Sequence, residues 1–94
     1  MSRYTVRVEL HNHPQEHDYE ILHEAMAQKG FSRFIVDADG DRYRLPLAEY
    51  NCDLELDKDE VLAKVKTAAG KVGKKYSILV TRSAGRTWFG LEPA

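Results

Sequence analysis

Twice along this chain the apolar residues change their spacing from every second position to every third or fourth, and twice they change back. Period two marks a half-buried strand and period 3.6 an amphipathic helix, so the alternation limits the chain to helices and strands sharing one core. Tyr4, Val6, Val8 and Leu10 point one way and Thr5, Arg7 and Glu9 the other, which makes a strand. His11-Asn12-His13-Pro14 reads as a turn. From about residue 16 to 29 a helical stripe of Tyr19, Leu22 and Met26 runs with Ile21 and Ala25 beside it. Glu20, His23, Glu24 and Gln28 fall largely on the polar side, and Gly30 suits the position just past the end. Residues 31–36 are a second strand, and Asp39-Gly40 suits the positive φ angles of a hairpin turn. The chain returns from residue 42, bends or bulges at Pro46, and alternates through Tyr50, Cys52, Leu54 and Leu56. Asp57 with Glu60 is an acidic capping box opening a helix faced by Val61, Leu62, Val65, Ala68, Ala69 and Val72. Gly73 ends it, Tyr76–Arg82 is a strand, residues 83–86 turn, and residues 87–91 form a final short strand.

The expected order is therefore β-α-β-β-α-β with an additional C-terminal edge strand. This is the ferredoxin-like α+β pattern, with two helices on one face of an antiparallel sheet. Residues 1–94 suit a single domain. With 43% hydrophobic and 31% charged residues and a net charge of −1, the chain has a globular balance rather than that of a disordered segment. Apolar runs such as residues 78–80 fall far short of the ~20 residues that span a bilayer. Arg3, Arg7 and Glu9 interrupt what would be the apolar region of a signal peptide. Cys52 is the single cysteine and has no partner for an internal disulfide. A cytoplasmic location follows as the expectation, with no cofactor.

The near-neutral total hides a segregation. Residues 49–60 hold six acids (Glu49, Asp53, Glu55, Asp57, Asp59, Glu60) against Lys58 alone. Residues 61–90 hold seven bases (Lys64, Lys66, Lys71, Lys74, Lys75, Arg82, Arg86) and no acid. A basic stretch of that kind suits a phosphate-bearing partner, while mutual neutralisation on a solvated face is the plainer account. The expected topology decides between them. Right-handed crossovers would gather the turn at His11, Asn12 and His13, the start of the first helix, the hairpin over residues 37–42, and the second helix's exit at Lys71, Lys74 and Lys75. Helix N-termini attract anions, so this end would suit a phosphate.

Metal-free RNA scission requires a base for the 2′-OH, an acid for the leaving oxygen and a cation for the phosphorane. His11 and His13 supply imidazoles that titrate near neutrality; Arg42, Lys74 or Lys75 supplies the cation. The candidate catalytic residues are thus His11, His13 and Arg42, with Lys71, Lys74 and Lys75 as RNA-binding residues; each also reads as an ordinary polar turn or surface residue. No metal is expected. Asp37, Asp39 and Asp41 alternate as ligands of a divalent ion do, but a calcium loop fails because Arg42 stands at its sixth position and Ala48 at its twelfth. His11, His13 and His17 lack an evident fourth zinc ligand. Residues 29–34 loosely match an aromatic RNA-stacking motif, but Arg33 breaks its spacing and the segment precedes the expected strand. Trp88 beside Phe89 places one aromatic on each face of the last strand.

In its lengths and hydrophobic positions the chain resembles the small family typified by the type V antitoxin GhoS. The resemblance is carried by Tyr4-Thr5-Val6-Arg7-Val8-Glu9-Leu10, Tyr19-Glu20-Ile21-Leu22-His23-Glu24-Ala25-Met26, Gly30-Phe31-Ser32-Arg33 and Tyr76-Ser77-Ile78-Leu79-Val80-Thr81. It implies a ferredoxin-like domain, similar in fold to the small nuclease-like subunit of CRISPR adaptation complexes. It also implies an endoribonuclease that degrades the transcript of a membrane-lytic toxin, with single-stranded mRNA as partner. The alternative is a non-catalytic interaction module or homodimer that pairs through the edge strand at residues 87–91, anchored by Trp88 or Phe89.

Overall fold

The computed structural model describes residues 3–94. In chain order the elements are β1 (Tyr4–Leu10), α1 (Glu16–Gln28), β2 (Phe34–Val36), β3 (Arg42–Arg44), β4 (Glu49–Cys52), α2 (Lys58–Gly70) and β5 (Tyr76–Arg82). The architecture is α+β with antiparallel sheets. β1 is the centre of a three-stranded sheet ordered β4-β1-β5, and β2 with β3 forms a separate two-stranded sheet. Along the central strand Val6 faces Tyr50 on one side and Val80 on the other.

The period-two alternation of β1 sends Tyr4, Val6, Val8 and Leu10 into the core. Both helices lie against that face. Leu22, Ala25 and Met26 of α1 and Val61, Val65, Ala68 and Ala69 of α2 are buried in one cluster with it. Full burial of a Leu, Met or Val side chain contributes about 1.5–3 kcal/mol, so this interface dominates the stability. The start of α2 is the capping box read from the sequence: Asp57 Oδ1 accepts from the Glu60 N–H at 2.8 Å and Glu60 Oε1 from the Asp57 N–H at 3.1 Å. α1 ends at Gly30, whose φ of +90° disfavours a side chain; a Cβ there would also meet Leu54 Cδ1 at 3.1 Å.

The structure departs from the sequence reading in three places. First, the expected strand over residues 31–36 is regular only over Phe34–Val36. Ser32 instead forms a lone antiparallel bridge with Asn51, and this bridge joins the small sheet to the edge of the large one. Second, the run from residue 42 to Leu56 is not one strand. It breaks between Arg44 and Glu49, where Pro46 supplies no donor and Ala48 adopts a φ of +71°. It stops at Cys52, and Leu54 turns out of line to cover Gly30. Third, residues 87–91 form no strand, so the additional C-terminal edge strand is absent from that segment. Gly90 sits at φ +76° and Phe89 is 99% exposed, which leaves no paired, half-buried ribbon. The tail meets the small sheet later, through a Tyr43–Pro93 bridge and bonds from Arg44 N–H to Glu92 O and Ala94 N–H to Arg42 O. Trp88 packs on Tyr43 with ring centroids 5.6 Å apart.

Among the described residues no helix is long and apolar enough to cross a membrane.

Candidate functional site

The exit of β1 and the entry of β5 lie side by side, because Leu10 pairs with Tyr76 and the His11 N–H donates to Lys75 O at 2.9 Å. Leu10 is buried, so by alternation its neighbours His11 and Lys75 stand on the sheet face that no helix covers. His11, Asn12, Lys75 and Tyr76 line an open concavity of about 470 Å³. His11 Nε2 is 2.8 Å from Ser77 Oγ and 4.0 Å from a Glu9 carboxylate oxygen. Ser77 in turn lines a second hollow of about 250 Å³ with Arg7, Glu9 and Leu79. The His11–Ser77 contact therefore joins the two hollows into a polar track along β1 and β5.

The turn that carries the histidines is bent hard. Asn12 and His13 both lie in the left-handed region, at φ +63° and +54°. Asn and His both occupy that region more readily than most residues with a side chain. Lys74 Nζ donates to Asn12 O at 3.2 Å and sits 3.9 Å from Asp18 Oδ2 in the first turn of α1. Gln15 Nε2 donates to His13 O at 3.0 Å, and Asp18 Oδ2 accepts from the Gln15 N–H at 2.8 Å. Lys74 is thus tied into the turn as a brace, whereas Lys75 is exposed.

The sequence-derived candidates divide accordingly. His11, Lys74 and Lys75 come together with Asn12. His13 is exposed on the same turn, and Lys71 is the exposed C-cap residue of α2. Arg42 belongs to another neighbourhood: its guanidinium lies 4.4 Å from the centre of the Phe34 ring and its carbonyl accepts from Ala94. The hairpin tip is likewise closed on itself, with Asp37 Oδ1 accepting from the Asp39 and Asp41 N–H groups at 2.9 Å. Among the described residues no hydrogen bond or ion pair links this hairpin to the imidazole turn, whereas such bonds do join that turn to the start of α1 and to the segment after α2. No group of three or more His, Cys, Asp or Glu side chains there is arranged to hold a metal ion.

Two polar clusters escaped the sequence reading. His23, placed there on the polar side of α1, is half-buried and lies 2.5 Å through Nδ1 from the Tyr50 hydroxyl. Burial, and then the Arg33 charge, push the His23 pKa down to about 4. Burial pushes the Tyr50 phenol well above its ordinary value. At neutral pH the phenol keeps its proton and the imidazole is uncharged, so a neutral hydrogen bond joins the Tyr50 hydroxyl and His23 Nδ1. On the uncovered face, Arg86 Nη2 donates to Asn51 Oδ1, Asn51 Nδ2 donates to Asp53 Oδ2 at 2.9 Å, and Arg3 Nε donates to Asp53 Oδ1 at 3.0 Å. Neither cluster could be read from spacing, because each joins residues far apart in the chain. The free thiol of Cys52 is buried, and that burial pushes its pKa up, away from the reactive thiolate.

No protein-family model matches the chain, and no curated protein matches it.

Proposed function

We propose that this chain is a GhoS-like, ferredoxin-like βαββαβ protein that binds single-stranded RNA and acts as an endoribonuclease antitoxin in the cytoplasm. The observation that carries the reading is the placing of His11 beside Lys75 on the uncovered face, at the head of a track that continues past Ser77 to Arg7. His11 moves the proton of the attacking 2′-OH, Lys75 stabilises the negative phosphorane, and His13, on the same turn, serves the leaving oxygen. Lys74 acts as a positioning residue by holding the turn, and Lys71 adds charge at the helix exit. Arg42, set against Phe34 and the tail, is left for backbone contacts along the RNA rather than the reacting phosphate.

The test is an RNA cleavage assay with and without a chelator, run on the native chain and on His11→Ala/His13→Ala. Cleavage that survives chelation and is lost in the folded double variant is the expected result. Cleavage unchanged in that variant removes the imidazoles from the reaction. Binding should weaken steeply with salt, and Lys75→Ala should lower the log–log slope by about one.

A second reading rests on one observation. Among the described residues β5 has a single neighbour, so there its outer edge is unpaired over seven residues, and Ser77 to Thr81 carry neither charge nor proline. An antiparallel pairing of two copies centred on Leu79 sets Ser77 against Thr81 and Ile78 against Val80. Sedimentation of the native chain and of Leu79→Lys tests it: a dimer that the lysine dissociates supports the reading, and a monomer in both defeats it.

A further inference from the structure

Two hollows flank the His23–Tyr50 contact. The larger, about 570 Å³, is lined by Tyr19, His23, Arg33 and Leu47 together with the start of α1. The smaller, about 380 Å³, is lined by Ala27, Phe31 and Phe34 and again by His23 and Arg33. These two side chains are the wall common to both. Neither hollow shares a residue with the concavity of His11 and Lys75.

Arg33 Nε is sealed from water and has no hydrogen-bond partner. Buried polar groups are almost always paired, so the unpaired N–H of a guanidinium that lines both hollows leaves Arg33 short of an acceptor. His23 reinforces the bias. With the Tyr50 phenol donating to its Nδ1, it offers the hollow a donor, Nε2–H. Glu16 and Glu20 also line the larger hollow, but both are exposed, and among the described residues neither forms an ion pair with Arg33.

We propose that Arg33 and His23 form a binding site for the oxyanion of a small organic acid, a carboxylate or phosphate monoester whose apolar body lies against Tyr19 and Leu47. The guanidinium supplies charge and direction, the imidazole a neutral second donor, and the ring and aliphatic walls exclude water from the rest of the ligand.

The site has a spectroscopic reporter. The charged and titratable groups around the His23 ring are Arg33 from the β2 entry loop, Tyr50 from β4, and Tyr19, Glu16 and Glu20 from α1. A bound anion offsets the Arg33 charge that depresses the imidazole, so the His23 pKa must rise when the site fills. The experiment follows the His23 ring protons by NMR from pH 3 to 7 with and without inorganic phosphate, and follows benzoate binding at pH 6.5. The expected result is millimolar binding of either probe and a rise of about one unit in the His23 midpoint with phosphate. Arg33→Gln should abolish binding and, without ligand, raise the midpoint. Arg33→Lys keeps the charge but lacks Nε–H, so it should bind about tenfold more weakly while leaving the ligand-free midpoint near that of the native chain. A phosphate response that persists in Arg33→Gln overturns the proposal, as does no response to either probe at tens of millimolar. A response confined to an oligoribonucleotide without terminal phosphates assigns the oxyanion to a nucleic-acid backbone and overturns the small-acid ligand.

Discussion

Two histidines of this chain sit in opposite settings. His11 stands at the end of β1 on a face no helix covers, against the hydroxyl of Ser77, with an exposed lysine beside it. His23 is half-buried between α1 and β4, against a fully buried tyrosine, and the Arg33 charge adds to the cost of protonating it. The same side chain is thus open to a partner on a sheet face in one place and held neutral against the core in the other. Reactivity belongs to the setting, and only the second setting is part of the core.

If that contrast is sound, perturbing the His23 side costs stability, and perturbing the His11 side costs function alone. Tyr50→Ala removes a fully buried ring and should destabilise the protein by about 3–5 kcal/mol in urea titrations. A loss under about 1 kcal/mol would mean that the ring is not the anchor described. Tyr50→Phe keeps the ring but leaves His23 Nδ1 without its hydrogen-bond partner, and should cost about 1–2 kcal/mol.

The pH dependence follows from the direction of the His23 shift. Its folded pKa, about 4, lies below the ordinary value of 6.5, so the unfolded chain binds more protons between those limits. The associated stability is complete above pH 6.5 and is lost as the pH falls toward 4. For a ring partly open to water the loss should be about 1 kcal/mol, less than the full shift implies. His23→Gln should flatten that window, which comparison of urea midpoints at pH 7 and pH 4.5 will reveal. The smallest effect on stability is expected for His11→Ala, within about 0.5 kcal/mol, while RNA binding or cleavage falls. A large loss of stability there would erase the distinction.

The parts of the fold readable from the sequence were those specified locally. β1, β5 and the two helices follow from apolar spacing, and the Asp57–Glu60 box marks its helix start because both partners lie within one turn. The break between β3 and β4 was only half visible: Pro46 announced a disturbance, but nothing in an alanine at position 48 announces a left-handed backbone. The tail misled because Trp88 and Phe89 look like strand residues, whereas Trp88 is held by Tyr43 from a distant element. The candidate site divides in the same way. His11, Lys74 and Lys75 are neighbours, as the sequence led one to expect, because the segments flanking β1 and β5 meet end to end. Arg42 belongs to the small sheet, against Phe34 and the tail, and His23 meets Tyr50, 27 residues away.

The position of β1 has a consequence for how the protein is made. Among the described strands the one made first is the middle of its sheet, and its two neighbours span residues 49–52 and 76–82. No nascent chain that stops short of residue 82 can complete the ladder on both sides. The apolar face of β1 is sheltered by α1 alone until residues 49–70 supply β4 and α2, and its other edge stays open until β5 is made; this interval is when a chaperone or an untimely neighbour would have its best access to the chain.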